Sequence, residues 1–302
     1  MLKKIFFLLL IFTCNNLFSK NIVKEQEYID SLSNLGKIII NGKNDFVRFE
    51  ANEKFKNLLI FLLSHDKSIN LNFSAVDNLS QQKTSDKSFQ ILTWVVPKTD
   101  ESFVCYGIVH LHNKRSKKYE IHELTDVRNK LENIEYQTLC NGDWFGALYY
   151  EMLRVRSFGK TYYTLLGWNG NDALSTLKII DVISIRNNSE VVFGDDLFVG
   201  YGKNQRRIVF EYSSKTQMTL RREKIKKGRR SAKMIVFDRL EPMAPGLEGL
   251  YQFYVPSTNI VDAFIFKNDK WQFIKDIDAR NPKSPKDKKE PKPSKVESKF
   301  KK

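Results

Sequence analysis

Between Gly146 and Asp172 the chain reads GALYYEMLRVRSFGKTYYTLLGWNGND, and this stretch constrains the fold more than any other. It predicts two β-strands joined at Phe158-Gly159-Lys160 and closed by a second turn at Asn169-Gly170-Asn171-Asp172. Apolar residues occupy both alternating sets. Tyr149, Leu153 and Val155 share one parity, and Leu148, Tyr150 and Met152 share the other. The return strand sets Tyr163 and Leu165 against Tyr162, Leu166 and Trp168. A half-exposed strand alternates apolar with polar, so a hairpin apolar on both faces is expected to be covered on both sides.

The remaining chain offers the covers. Strands are expected at Phe89–Val96, Phe103–His112 and Tyr119–Leu124, then at Leu177–Ile185, Val191–Phe193 and Arg207–Tyr212. Further ones follow at Met218–Arg222, Met234–Arg239, Ile260–Phe266 and Trp271–Ile277. A helix capped by Asp45 is expected to run to about Leu63, with Phe55, Leu58, Leu59, Leu62 and Leu63 on one stripe. A shorter one is expected from Thr125 or Asp126 to about Tyr136. The expected class is mainly β, an antiparallel β-sandwich or open barrel built from hairpins with an N-terminal helical segment, α+β overall. Residues 1–19 read as a signal peptide, 20–80 as the helical segment, 81–280 as the antiparallel β domain, and 281–302 as a disordered Lys/Pro-rich tail. Within this scheme 78–87 is a polar loop and the first internal boundary.

The amino terminus predicts export. Lys3 and Lys4 precede the unbroken apolar run Ile5–Phe12, and Leu17 and Ser19 suit cleavage before Lys20. That run is too short to span a bilayer comfortably. Cys14 raises a lipoprotein alternative, but the preceding Ile11-Phe12-Thr13 departs from the Leu-small-small approach, so ordinary secretion to the periplasm or the exterior is the expectation. The net charge is +15. Removing the +2 of Lys3 and Lys4 and the +6 of the tail, nine Lys against Asp287, Glu290 and Glu297, leaves +7 for the body. The run Arg221, Arg222, Lys224, Lys226, Lys227, Arg229, Arg230 surrounds Gly228 at an expected hairpin tip. An exported chain does not meet cellular nucleic acid, so an anionic envelope component or an envelope protein is the expected partner.

Each candidate site has a structural alternative. His110, His112 and His122 with Glu120 form the one metal-like cluster: apolar pairing across the hairpin would place them on one face, as zinc ligands or as a polar outer surface. Cys105 and Cys140 are either one disulfide or two separate thiols. Trp168 with Asn169, Asn171 and Asp172 suits a sugar or peptide site, and equally a tight turn. In EPMAPGLEGLYQFYVP (241–256), Tyr251, Phe253 and Tyr254 either line a cleft or pin the loop. Asp195, Asp196, Glu241 and Glu248 are the carboxylates open to a glycosidase reading. No Gly-x-Ser-x-Gly or His-Glu-x-x-His motif occurs, and Ser-x-x-Lys is not joined by the Ser-Asp-Asn and Lys-Thr-Gly companions that complete its set, so no catalytic residue and no cofactor is assigned.

The blocks LLGWNGNDALSTLKIIDVISI, VVFGDD, RIVFEYS, IVFDRLEP and the closing NDKWQFIKDIDARN resemble a family of uncharacterised exported proteins of Bacteroidota, over roughly residues 144–281. The resemblance implies export and a β-rich architecture, and carries over no catalytic residue. The functional expectation is a non-enzymatic envelope module that binds a partner protein or anionic polymer. A glycan or peptide hydrolase is the alternative.

Overall fold

The computed structural model describes residues 25–65, 68–113, 115–187, 189–227 and 230–277; the expected signal segment, Cys14 and the Lys/Pro tail lie outside them. A first sheet forms from β1 (Leu79–Lys83), β2 (Phe89–Pro97), β3 (Phe103–Asn113), β4 (Lys118–Asp126) and the short parallel β5 (Asp143–Trp144), in that order. Next along the chain come β6 (Leu148–Ser157), β7 (Lys160–Asn169), β8 (Ser175–Arg186), β9 (Glu190–Phe193), β10 (Phe198–Val199) and β11 (Ile208–Ser213). The last four strands are β12 (Leu220–Lys227), β13 (Arg230–Pro242), β14 (Tyr254–Lys267) and β15 (Lys270–Ile274). The second sheet is ordered β11-β8-β7-β6, with β9 sharing the β8 edge, and the third β10-β15-β14-β13-β12. The β6–β7 turn places both Phe158 and Gly159 at positive φ, the two-residue form whose twist matches its flanking strands.

The second sheet is covered on both faces. Tyr163, Leu165, Ile179 and Ile183 meet Phe89, Ile91, Val109 and Leu111 of the first sheet. On the opposite side Leu153, Val155, Leu166, Ile180 and Val182 meet Leu220, Ile235, Phe237, Phe264 and Trp271 of the third. Helix α1 (25–41) and helix α2 (Asp45–Leu63) cover the outer face of the first sheet, where Phe55, Leu59 and Leu62 pack on Leu92, Trp94 and Ile108. The result is mainly β, α+β overall, with helices and three sheets stacked in four sandwich-like layers and no closed barrel. No described helix is long and apolar enough to cross a membrane.

Several local expectations are corrected. A bulge at Tyr149/Glu151 turns Tyr149 toward the first sheet while Leu153 and Val155, of the same parity, face the third. The expected loop at 78–87 contains β1, because Gln81 directs its amide inward to Leu71 O and Gln90 Oε1. The helices share one core with β2 and β3 across residue 80. No helix follows Thr125: β4 continues to Asp126, and one 3₁₀ turn forms at Ile134–Tyr136. Asn44 caps α2 through Val47 N at 3.0 Å, whereas the Asp45 carboxylate accepts from Thr99 N at 2.7 Å.

Between the first two sheets lies a fully buried ion pair. Asp181 on β8 accepts from Arg207 Nε at 3.3 Å, Tyr149 Oη at 3.0 Å and Val182 N at 2.8 Å. Arg207 also donates to Ile134 O and, at 3.0 Å, to Gln137 O, tying the 3₁₀ turn to the sheet. Burial first, then the Asp181 charge, pushes the Tyr149 phenol well above its usual range, so it stays a donor. Arg207→Met strands a buried carboxylate and is expected to cost about 3–5 kcal/mol in urea unfolding. A loss below about 1 kcal/mol would show that the pair does not organise this core.

Candidate binding cleft

The structure spends most of the Trp168 loop on the turn itself. Asn169 is buried and donates to Gly146 O at 2.6 Å and to Cys105 Sγ at 3.2 Å, while its Oδ1 accepts from Asn171 N at 2.7 Å. Asp172 accepts from Leu174 N and Ser175 N, and Trp168 packs edge-on to Phe103 at 5.3 Å. The positive φ falls on Asn171, at 55°. Gly170 serves close approach instead: a Cβ there would lie 2.1 Å from the Phe103 ring. Cys105 and Cys140 are both free thiols, so the possible disulfide is not formed. Cys105 is turned into the core toward Asn169, and burial followed by the Asp126 charge pushes its thiol upward, away from reactivity.

The expected carboxylates are engaged in separate interactions or exposed. Asp195 pairs with Arg186 at 2.9 Å, Asp196 with Lys270 at 3.0 Å, and Glu248 accepts from Gly246 N, while Glu241 is exposed.

Two concavities stand out. One of about 240 Å3 opens between the first two sheets, where Asp86, Ser88, His112, Arg154, Thr161 and Tyr163 meet. Burial raises Asp86, but hydrogen bonds from Ser88 and Thr84 and the Arg154 charge outweigh it and hold the carboxyl below its usual value. Its carboxylate and guanidinium thus offset each other.

The second, of about 200 Å3, is built by the β13–β14 connection. That connection leaves Pro242, turns at Gly246 and Gly249 with positive φ, and ends in a 3₁₀ turn at Tyr251–Phe253 before β14. Met243 N donates to Phe253 O and Gly249 N to Tyr254 Oη, closing the loop on itself. The loop leaves Met243, Leu250, Tyr251 and Phe253 exposed, and of these Tyr251 lines the cleft. Tyr251 and Tyr254 wall the cleft, their centroids 5.2 Å apart, with Tyr201, Phe210 and Phe237 behind them. Neither Tyr201 nor the polar lining of Glu211, Asp238, Arg239 and Asp262 was legible in the sequence. A bulge between Asp238 and Leu240 sets Arg239 against Asp262 in a two-pronged pair at 3.0 and 2.5 Å. Burial, then Asp262 and Tyr251, pushes the Tyr201 phenol up to about 12. Comparison with protein-family models, curated proteins and solved structures returned no match.

The histidine cluster is corrected by register. His110 pairs with Ile121 and His112 with Tyr119, while His122 pairs with Val109 and Glu120 with Leu111. Paired residues share a face, so His110 and His112 lie opposite His122 and Glu120. Among the described residues no group of three His, Cys, Asp or Glu is placed to hold a metal. His110 instead joins a directed chain beneath the helices. Phe73 N fixes Gln81 Oε1, Gln81 Nε2 donates to Gln90 Oε1, and Gln90 Nε2 donates to His110 Nδ1 at 3.0 Å. The imidazole proton therefore sits on Nε2, 3.4 Å from Ser68 Oγ, which donates onward to Leu63 O. The signal for it was polar Gln90 and His110 within otherwise apolar strands.

Burial, then Lys83, lowers His110 from 6.5 to about 4. Protons thus bind the unfolded chain first: this contribution is complete above about pH 6.5 and is lost as pH falls toward about 4. We expect about 2–3 kcal/mol of stability to disappear across that window, with His110→Gln flattening the profile in urea unfolding. An equally steep profile in His110→Gln would assign the effect elsewhere.

Proposed function

We propose that this chain is an exported, non-enzymatic binding module of the cell envelope that receives its partner in the cleft beneath Tyr251. The observation that carries this reading is Tyr251 itself, 51% exposed at the mouth of a formed aromatic concavity, beside exposed Met243, Leu250 and Phe253. Apolar and aromatic surface concentrated on one loop is characteristic of a contact site. Binding is favoured over hydrolysis because, of the acids advanced for catalysis, Asp195 and Asp196 serve ion pairs, Glu248 a turn, and Glu241 is exposed. Export is supported by Lys3, Lys4 and the Ile5–Phe12 run, and by the resemblance to exported Bacteroidota proteins. The basic β12–β13 sequence adds long-range attraction to anionic envelope material, which weakens as salt rises.

Capture from fractionated envelope with the full chain tests this. A partner held in about 1 M salt, where screening acts within about 3 Å, is expected for wild type and lost in Tyr251→Ala. Arg221→Gln should weaken capture at low salt alone. Undiminished high-salt capture by Tyr251→Ala would overturn the cleft as the recognition site.

A further inference from the structure

We infer that the outer edge of β12 takes an added antiparallel strand, an extended peptide with acidic residues at alternate positions. This does not depend on the cleft. β12 ends the third sheet, and among the described residues β13 is the one strand paired with it. Asp238 N donates to Thr219 O at 3.2 Å, so the Thr219 backbone faces β13. Alternation along an antiparallel strand then turns the backbone of Arg221, Glu223, Ile225 and Lys227 toward β13 as well. It turns that of Leu220, Arg222, Lys224 and Lys226 outward. Leu220 O bears this out by accepting from Tyr150 Oη of β6 at 2.8 Å. The outward N–H and C=O groups of Arg222, Lys224 and Lys226 are left for an incoming strand to pair.

The charge of that strand follows from the face these residues share. Register sets Arg222 beside Ile235, Lys224 beside Lys233 and Lys226 beside Ser231. On this face Leu220, Ile235 and Phe237 are buried against the second sheet, whereas Lys233 is exposed. Arg222 meets Glu151 of β6 at 2.9 Å. The Lys233 ammonium contacts only a carbonyl, Arg154 O, among the described residues. Burial, then the Arg154 and Arg222 charges, lowers its pKa, and an added carboxylate relieves that repulsion. The opposite face carries Arg221, Glu223 and Ile225, where Arg221 and Glu223 already pair. The edge therefore calls for acids on every second residue, with uncharged residues between them. A second copy is a poor occupant, since β12 against β12 sets cations across from cations. A polyanion without peptide groups meets the charges and leaves the edge unpaired.

The test uses the full chain and the peptide acetyl-Thr-Glu-Val-Glu-Val-Glu-Thr amide, read by calorimetry and by NMR amide exchange. Saturable binding is expected, with exchange slowed at Arg222, Lys224 and Lys226. In the paired strand the Glu amides face β12 and the Val amides face away. Methylating the Glu nitrogens should therefore weaken binding at least about tenfold, and methylating the Val nitrogens by less than about threefold. Lys224→Pro removes an outward N–H that the β13 ladder does not use, and is expected to cost about tenfold, more than Lys224→Gln. Circular dichroism confirms that both variants are folded, and the methylated pair decides the matter on the wild-type chain alone. Equal affinity for the Glu-methylated peptide would reduce the edge to a polyanion site and overturn the proposal. Absence of saturable peptide binding, or a dimer closed through β12 in ultracentrifugation, would overturn it as well.

Discussion

A sheet apolar on both faces cannot stand in water, and the rest of this molecule follows from that constraint. Leu165 and Ile179 face one way, Leu166 and Ile180 the other. At roughly 25 cal/mol for each Å2 of apolar surface, leaving either face open forfeits a large share of the folding free energy. The first and third sheets are the two solutions. The first then has an outer face of its own, which α2 closes through Phe55 and Leu59. Buried polar groups fix how the layers sit: Asp181 with Arg207 and Tyr149 on one side, and Thr164, accepting from Trp271 Nε1 at 2.8 Å, on the other. Such groups stabilise modestly, but they penalise any layer arrangement that leaves them unpaired.

What was legible in the sequence was what depends on period. The two-sided hairpin, most strands and the α2 stripe all show as alternation or as i, i+3, i+4 spacing. Register was not legible. Asn113 pairs with Lys118, and its side chain accepts from Arg115 N and Ser116 N, fixing a turn that the polar run NKRSKK does not announce. A slip of one residue there moves His122 and Glu120 to the face opposite His110. The bulge at Tyr149 was hidden for the same reason, since a parity count assumes that no residue is inserted. β1 was missed because its half-buried side chains, Ser80, Gln81, Gln82 and Lys83, are polar, Leu79 apart, and β5 and β10 because two-residue strands carry no periodic signal.

Of the candidate site, Tyr251 and Tyr254 stood out as aromatics in a Pro/Gly loop, whereas Tyr201 comes from the β10–β11 connection and Phe210 and Asp262 from distant strands. The cleft exists where the β11 edge, the β13 bulge and the loop converge, and only tertiary structure brings them together. Within it Asp262 is neutralised by Arg239, so the walls are chiefly aromatic while the body of the chain is of positive sign. Long-range attraction and local contact are therefore separable by salt.

The position of β15 carries a consequence for the order in which the molecule can be completed. It lies inside the third sheet, between β10 and β14, and Trp271 reaches a partner 107 residues earlier. A chain made from its amino terminus presents the helices and the first two sheets long before residue 271 emerges. During that interval the face bearing Leu166 and Ile180 is covered in stages, by Leu220, Ile235, Phe237 and Phe264 before Trp271, and long-range pairings of this kind close slowly. Until β15 is in place that apolar face is the second sheet's most aggregation-exposed surface.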